Sequence, residues 1–169
     1  LYVGAWASNV DFADSDGPDV ELDSYVGWSH DVNKDWNLDL SFVHYAYLGG
    51  NDAYGNVDYN EVIAKNTWHG MATLTVAYAP DYANLGLSSW YVNLGGTWKL
   101  ANEFALNAGV GHTKFSDGAG SYSDWNVGLS RQFGPVNAAL NYYDTSGDTG
   151  YVGKASDRLV LTFAFGNGG

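Results

Sequence analysis

The chain has 169 residues, 46% of them hydrophobic, with no cysteine and a formal net charge of −12 at pH 7. This length suits a single domain, residues 1–169, and leaves no room for a second folded unit beside a closed sheet. The lack of cysteine excludes disulfides and thiolate metal sites. The negative charge argues against a nucleic-acid partner, because binding phosphates requires basic residues.

Apolar residues occupy every second position in ten segments, which is the pattern of β-strands with one apolar face. In one segment Trp90, Val92 and Leu94 alternate with Tyr91 and Asn93. No stretch reaches the roughly 18 consecutive apolar residues of a membrane-spanning helix. We predict strands at 1–8, 20–30, 36–48, 59–68, 71–79, 88–99, 103–114, 122–133, 135–144 and 157–166.

The links between the predicted strands alternate between short and long. Barrels of bacterial outer membranes have short periplasmic turns and longer external loops. The alternation therefore predicts an all-β fold, an antiparallel up-and-down transmembrane β-barrel with about ten strands in this chain. The short links are 30–35, 69–70, 100–102 and 134, and the long links are 9–19, 49–58, 80–87, 115–121 and 145–156.

Charge and tryptophan distinguish the two ends of the predicted barrel. One basic residue lies at or beside each short turn, whereas the long loops are rich in aspartate; the four basic residues are Lys34, Lys65, Lys99 and Arg131. Tryptophans flank both kinds of link, as in the aromatic girdles of such barrels: Trp6, Trp28, Trp36, Trp68, Trp90, Trp98 and Trp125. The predicted location is the bacterial outer membrane, in contact with lipid and lipopolysaccharide.

The apolar face of each strand is expected to meet lipid, with Leu38, Leu106 and Leu161 on that face. A soluble barrel of the lipocalin kind would bury the same side chains inside. The tryptophan belts and the polar opposite face favour the membrane interpretation. The direction of these three leucines decides between the two.

The polar face carries candidate lumen residues: Glu21, Asp23, Asp39, Glu61, Asp124 and Arg158. Ten to twelve strands leave at most a constricted path, and rings of acidic residues favour cations. The sequence thus predicts a narrow or plugged pore for small cationic solutes. The alternative is a filled polar core, in which these acids pair with Arg158, Lys65 or Lys99 or hydrogen-bond to tyrosine and asparagine.

An acidic loop near the start of the chain has carboxylates at alternating positions around a glycine, as loops that bind hard cations do. Its candidate ligands are Asp14, Asp16 and Asp19. The twelve-residue Ca²⁺ loop with its terminal Glu is not completed. We favour a solvated acidic loop, and we expect neither a bound metal nor another cofactor.

Two other classes of function are alternatives to a pore. Neither a Gly-x-Ser-x-Gly elbow nor a His-Glu-x-x-His motif occurs, so we do not expect an enzyme, including one that modifies lipids. A membrane anchor or binding module for a protein partner would use the loops or an exposed seam of the barrel. Its candidate contact residues are the loop tyrosines Tyr54, Tyr82, Tyr122 and Tyr151.

Several segments resemble the proteobacterial Gcw_chp family of uncharacterised exported proteins, at 4–12, 21–23, 78–82, 123–128 and 157–160. The resemblance covers nearly the whole chain and implies an outer-membrane β-barrel of unassigned function. Members carry another hairpin before the first of these segments, so the resemblance implies twelve strands in an intact barrel. Because Leu1 already begins a strand-like segment, we expect that a signal peptide has been removed.

Overall fold

The structure is a computed structural model that describes residues 1–11, 16–51, 54–146 and 157–165. A single 3₁₀ turn, Tyr82–Asn84, interrupts the strands, and no helix in the described ranges is long and apolar enough to cross a membrane. The strands are β1 (Tyr2–Asn9), β2 (Val20–Asn33), β3 (Trp36–Leu48), β4 (Tyr59–Trp68), β5 (Ala72–Ala79), β6 (Ser89–Lys99), β7 (Phe104–Phe115), β8 (Ser121–Phe133), β9 (Val136–Ser146) and β10 (Arg158–Phe165).

The strands form one antiparallel sheet in which each strand pairs with the next in the sequence. This confirms the predicted all-β class, the strand number and the up-and-down order. Within the described ranges no ladder joins β10 to β1, so the sheet is open and these two strands are its edges. The closed barrel of the sequence analysis is therefore not seen.

The largest shift from a predicted boundary is at the end of β2. That strand runs to Asn33, with a register irregularity between Asp31 and Asn33. The Asn37 Nδ2 donates to the Asp31 Oδ1 at 2.7 Å, so polar side chains join β2 and β3 in this extension. Alternation did not predict this extension, because the polar His30 takes the apolar-face position between Trp28 and Val32.

The cross-strand register assigns every strand residue to one of two faces. On one face Tyr45 lies opposite both Asp23 and Tyr59. On the other face Leu94 lies opposite Leu74. The faces therefore differ in chemistry as the alternation predicts: one polar and one apolar.

The polar face is the concave one. The Tyr2 Oη of β1 donates to the Asp39 Oδ1 of β3 at 2.7 Å, and the Tyr91 Oη of β6 donates to the Asp124 Oδ1 of β8 at 3.1 Å. Both hydrogen bonds join strands that are separated by one intervening strand. Such contacts are possible because the sheet curves toward this face. The buried strand side chains also share this face: Val43, Ala77, Ala79, Ser89, Thr113, Phe115, Ser130 and Asn141.

The apolar face is convex and open to the surroundings. Leu38, Leu106 and Leu161 all lie on it, and Leu161 is 59% exposed. These leucines are thus directed away from the centre, as the sequence analysis predicts, rather than gathered in the middle as in a lipocalin-like barrel.

Six tryptophans lie on the convex face: Trp28, Trp36, Trp68, Trp90, Trp98 and Trp125. Trp6 differs from them. It lies opposite Asp23, so its side chain belongs to the concave face. The register does not place Trp6 in the predicted girdle. Alternation misleads here because both faces of β1 carry apolar side chains.

Candidate functional site

A pocket lies on the concave face at the end where the long loops join the strands. Its volume is about 380 Å³. We call it the tyrosine–carboxylate pocket. Four tyrosines, two acids and three hydroxyl residues line it: Tyr59, Glu61, Tyr82, Ser89, Tyr91, Thr113, Tyr122, Asp124 and Thr145.

The loop between β5 and β6 covers part of this pocket. The Tyr82 amide donates to the Leu87 carbonyl at 2.7 Å, and the Gly86 amide donates to the Asp81 Oδ1 at 2.7 Å. Gly86 has a φ of +71°, in the left-handed region that glycine adopts without strain. These bonds fold the loop back on itself, so that Tyr82 reaches over the concave face.

Aromatic rings form a continuous layer beneath the loops. Tyr45 stacks on Tyr59 with 4.6 Å between ring centroids, and Tyr59 lies 5.0 Å from Tyr82. Tyr82 in turn lies 5.2 Å from Phe115, whose ring is 6.3 Å from Tyr122. The layer therefore reaches from β3 to β8 across the concave face, within the range of attractive aromatic pairs.

The acids of the pocket accept hydrogen bonds from tyrosine. The Tyr45 Oη donates to the Glu61 Oε2 at 3.0 Å. The Tyr91 Oη donates to the Asp124 Oδ1 at 3.1 Å. Since an ionised carboxylate accepts several hydrogen bonds, each acid keeps capacity for a further donor.

The remaining candidate lumen acids lie at different places on the concave face. Glu21 and Asp23 are two residues apart on β2, and the Asp23 Oδ1 is buried without a hydrogen-bond partner. Asp39 lies opposite Lys65, further from the long loops. Arg158 lies opposite Tyr143 on the edge strand β10. Of the predicted set, the structure brings only Glu61 and Asp124 into the pocket lining.

Among the described residues, no basic side chain forms an ion pair with these acids. Across the described ranges, the one ion pair joins the His69 Nδ1 to the Asp35 Oδ1 at 3.0 Å, in the short-turn region. The ion-paired form of the filled-core alternative therefore has no support there. Its hydrogen-bonded form does describe Glu61, Asp124 and Asp39, which accept bonds from tyrosines.

The tyrosines of the pocket are lining residues that the sequence analysis did not predict as a group. Tyr82 and Tyr122 are candidate contact residues for a partner in the sequence analysis, and the structure places both in the pocket lining. Tyr151 lies outside the described residues. The available signal was positional: Tyr45, Tyr59 and other tyrosines recur on the polar face near the long loops.

Tyr82 lies outside the strands, and its hydroxyl has a raised pKa. Burial raises the pKa of Tyr82 to about 12, and the negative charges that Tyr122, Glu61 and Glu21 can carry act in the same direction. The hydroxyl is therefore neutral at ordinary pH and available as a hydrogen-bond donor. A neutral tyrosine hydroxyl beside carboxyl groups suits the binding of a hydrogen-bonding ligand.

The acidic loop is held by its backbone. The Asn51 amide donates to the Asp16 carbonyl at 3.0 Å, and the Asp19 amide donates to the Leu48 carbonyl at 2.9 Å. Asp14 lies outside the described residues. Elsewhere, the described residues contain no group of three side chains able to hold a metal ion.

A protein-family model matches residues 1–164 and is described as a bacterial protein of unknown function, Gcw_chp. Searches of curated proteins and of solved structures return no match. The family match covers nearly the whole chain and agrees with the resemblance found in the sequence. This chain therefore belongs to the Gcw_chp family of bacterial proteins.

Proposed function

We propose that this chain forms an outer-membrane β-barrel whose concave face provides a narrow path for small cationic solutes. The observation that carries the proposal is the set of acids on the concave face. Glu61 and Asp124 line its pocket, and no ion-paired base compensates them among the described residues. Acidic groups in a constriction attract cations and repel anions.

The convex face supports the location. Leu94 and Val110 are both 57% exposed, and they lie opposite each other on adjacent strands. A soluble protein rarely exposes a continuous apolar surface of this kind, whereas a membrane barrel surrounds itself with one. The six convex tryptophans fit the two boundaries between lipid and water.

Membrane insertion requires the two sheet edges to be joined. Backbone amides and carbonyls of β1 and β10 would otherwise lack hydrogen-bond partners in lipid, at a cost of several kcal/mol each. The proposal therefore includes closure of the sheet, either by direct pairing of these edges or through further strands.

Side chains on the concave face make the path narrow. Gly111 has no side chain, and a Cβ there would lie 2.5 Å from the Tyr91 Oη and 2.6 Å from the Asp124 Oδ2. The space above the glycine is thus filled by its neighbours. Only small solutes would pass such an interior.

Conductance in a planar bilayer tests the proposal. The full chain is reconstituted between two KCl solutions of different concentration, and the reversal potential is measured. We expect a potential displaced toward the K⁺ equilibrium value. A Glu61→Gln/Asp124→Asn variant should move it toward zero, because the carboxylates that attract cations are removed.

Asp117→Asn provides the matched control. Asp117 lies in a long loop at the same end of the molecule, outside the pocket lining. Its loss removes a charge without changing the path. Absence of conductance, or a reversal potential that favours anions, would overturn the proposed pore, as would recovery of the protein outside the outer-membrane fraction.

The free sheet edges favour a second candidate, an anchor that binds a protein partner. Unpaired strand edges accept a further strand through backbone hydrogen bonds. Native mass determination of the purified species tests this function, with retention of a second protein in fixed proportion as the expected result. A mass equal to that of the single chain would contradict it.

A further inference from the structure

We propose that the tyrosine–carboxylate pocket binds a linear aliphatic diammonium ion. The inference rests on the proposed function for the cationic character of the solute, and it names the class. Two acids from different strands, in a lining rich in aromatic rings, match two ammonium groups joined by an apolar stem.

The two acids of the pocket come from strands that are not neighbours. Glu61 is on β4 and Asp124 is on β8, with three strands between them in the sheet. A hard metal ion needs six to eight oxygen ligands that converge on one point. The described residues offer no cluster of three metal-ligating groups, so the pocket does not provide the ligand set of a hard metal ion.

The aromatic rings suit the organic part of the ligand. Tyr59, Tyr82 and Tyr122 line the same cavity, and Tyr59 and Tyr82 belong to the layer of rings in contact. Aromatic faces attract ammonium groups within about 6 Å and pack against methylene groups. The volume of about 380 Å³ is much larger than a bare metal ion needs and admits a short aliphatic chain.

Hydrogen-bond acceptors for the ammonium protons are also present. Each ammonium group donates three hydrogen bonds. Glu61 and Asp124 accept one bond each from a tyrosine and retain free acceptor capacity, and Ser89 and Thr145 add hydroxyl oxygens in the lining. Both ends of a diammonium ion can therefore be satisfied.

Titration calorimetry of the detergent-solubilised full chain tests the proposal without requiring conductance. The probes are 1,4-diaminobutane, 1-aminobutane and KCl at constant ionic strength. We expect the diamine to bind at least about fivefold more tightly than the monoamine, because a second charge pair is worth about 1 kcal/mol even in water. Equal affinities, or no heat with any amine, would overturn the inference.

Variants assign the binding to the pocket. Glu61→Gln and Asp124→Asn should each lower the diamine affinity to near that of the monoamine, with little effect on monoamine binding at the other acid. Asp117→Asn should leave both affinities unchanged. If Asp117→Asn lowers diamine binding as much as Glu61→Gln does, general surface charge explains the binding and the pocket assignment is wrong.

The two proposals fail separately. Cation-selective conductance with equal affinity for the two amines would overturn the diammonium site while supporting the pore. A preference for the diamine without conductance would support the pocket as a diammonium-binding site and would overturn the proposed pore. The comparison of the two amines uses the unaltered chain, so its outcome does not depend on whether a variant folds.

Discussion

The convex and concave faces of the sheet are built from the same ten strands, yet they are suited to different surroundings. On the convex face Leu74 and Leu94 lie opposite each other and are exposed, and most tryptophans share this face. On the concave face Tyr91 reaches across a strand to Asp124, and polar side chains such as Asn141 are buried. The concave face is thus mainly polar and the convex face mainly apolar.

The difference arises because a strand alternates its side chains between two faces. Each residue of β6, for example, is committed to one face by its parity and by the register with β7. A single shift of register would exchange the faces. The ladders on both sides of each inner strand therefore fix which chemistry points outward, and under the proposed function the exposed apolar face meets lipid.

The largest expected effect comes from placing a charge on the convex face. Leu94→Arg should lower the free energy of unfolding in lipid vesicles by about 2–4 kcal/mol, the cost of an arginine at the middle of a bilayer on a barrel surface. Leu94 is 57% exposed and lies in the middle of β6. Urea titration of the vesicle-inserted protein measures the change.

Leu85→Arg is the matched control, because Leu85 is 46% exposed but lies in a loop between strands. In water both substitutions would be nearly neutral. If the two variants unfold at the same urea concentration, the convex face does not meet lipid. The chemical difference between the two faces would then need another cause.

The concave face should resist added volume where backbone lies against it. A Cβ at Gly128 would contact the Leu140 carbonyl oxygen and lie 2.7 Å from the Asn141 Cα. Because these are backbone atoms of the next strand, Gly128→Ala should cost about 1–3 kcal/mol. Gly111→Ala should cost less, since the nearest atoms belong to side chains that can rotate. Equal costs in denaturant unfolding would show that the concave face is loosely filled.

The curvature itself is tested by the bond between Tyr91 and Asp124, which crosses β7. A double-mutant cycle of Tyr91→Phe and Asp124→Asn should give a coupling energy of about 1 kcal/mol, the typical net value of a hydrogen bond. Unfolding free energies of the four proteins measure it. A coupling near zero would mean that the two side chains do not meet and that the sheet is flatter here.

Much of the sheet could be predicted from the sequence because alternation depends on near neighbours. The bounds of β3 and β4 were predicted correctly, and Glu61 and Asp124 were assigned to the polar face. Trp6 was predicted to lie in the outward-facing girdle but lies on the concave face, because β1 carries apolar residues on both faces. The extension of β2 to Asn33 was missed because the polar His30 interrupts the apolar face before Val32.

The pocket could not be predicted from alternation. Tyr59 comes near Phe115 only through Tyr82, which belongs to a loop that folds back over the concave face. Such contacts depend on curvature and loop conformation, which join residues far apart in the chain. Period and composition place each tyrosine on a face, but they do not bring tyrosines of different strands together.

The smallest expected effect is a pH dependence at the edge of the pocket. Tyrosine in an unfolded chain titrates near pH 10, whereas burial raises the pKa of Tyr82 to about 12. The unfolded state therefore releases this proton first, so the stabilising contribution is complete below about pH 10 and declines between about pH 10 and 12. Tyr82→Phe keeps the ring and removes the titration. Denaturant unfolding should show a decline of less than about 1 kcal/mol between about pH 9 and pH 11 that wild type has and Tyr82→Phe lacks. Identical pH profiles would show that the Tyr82 hydroxyl is exposed to water and not buried against the concave face.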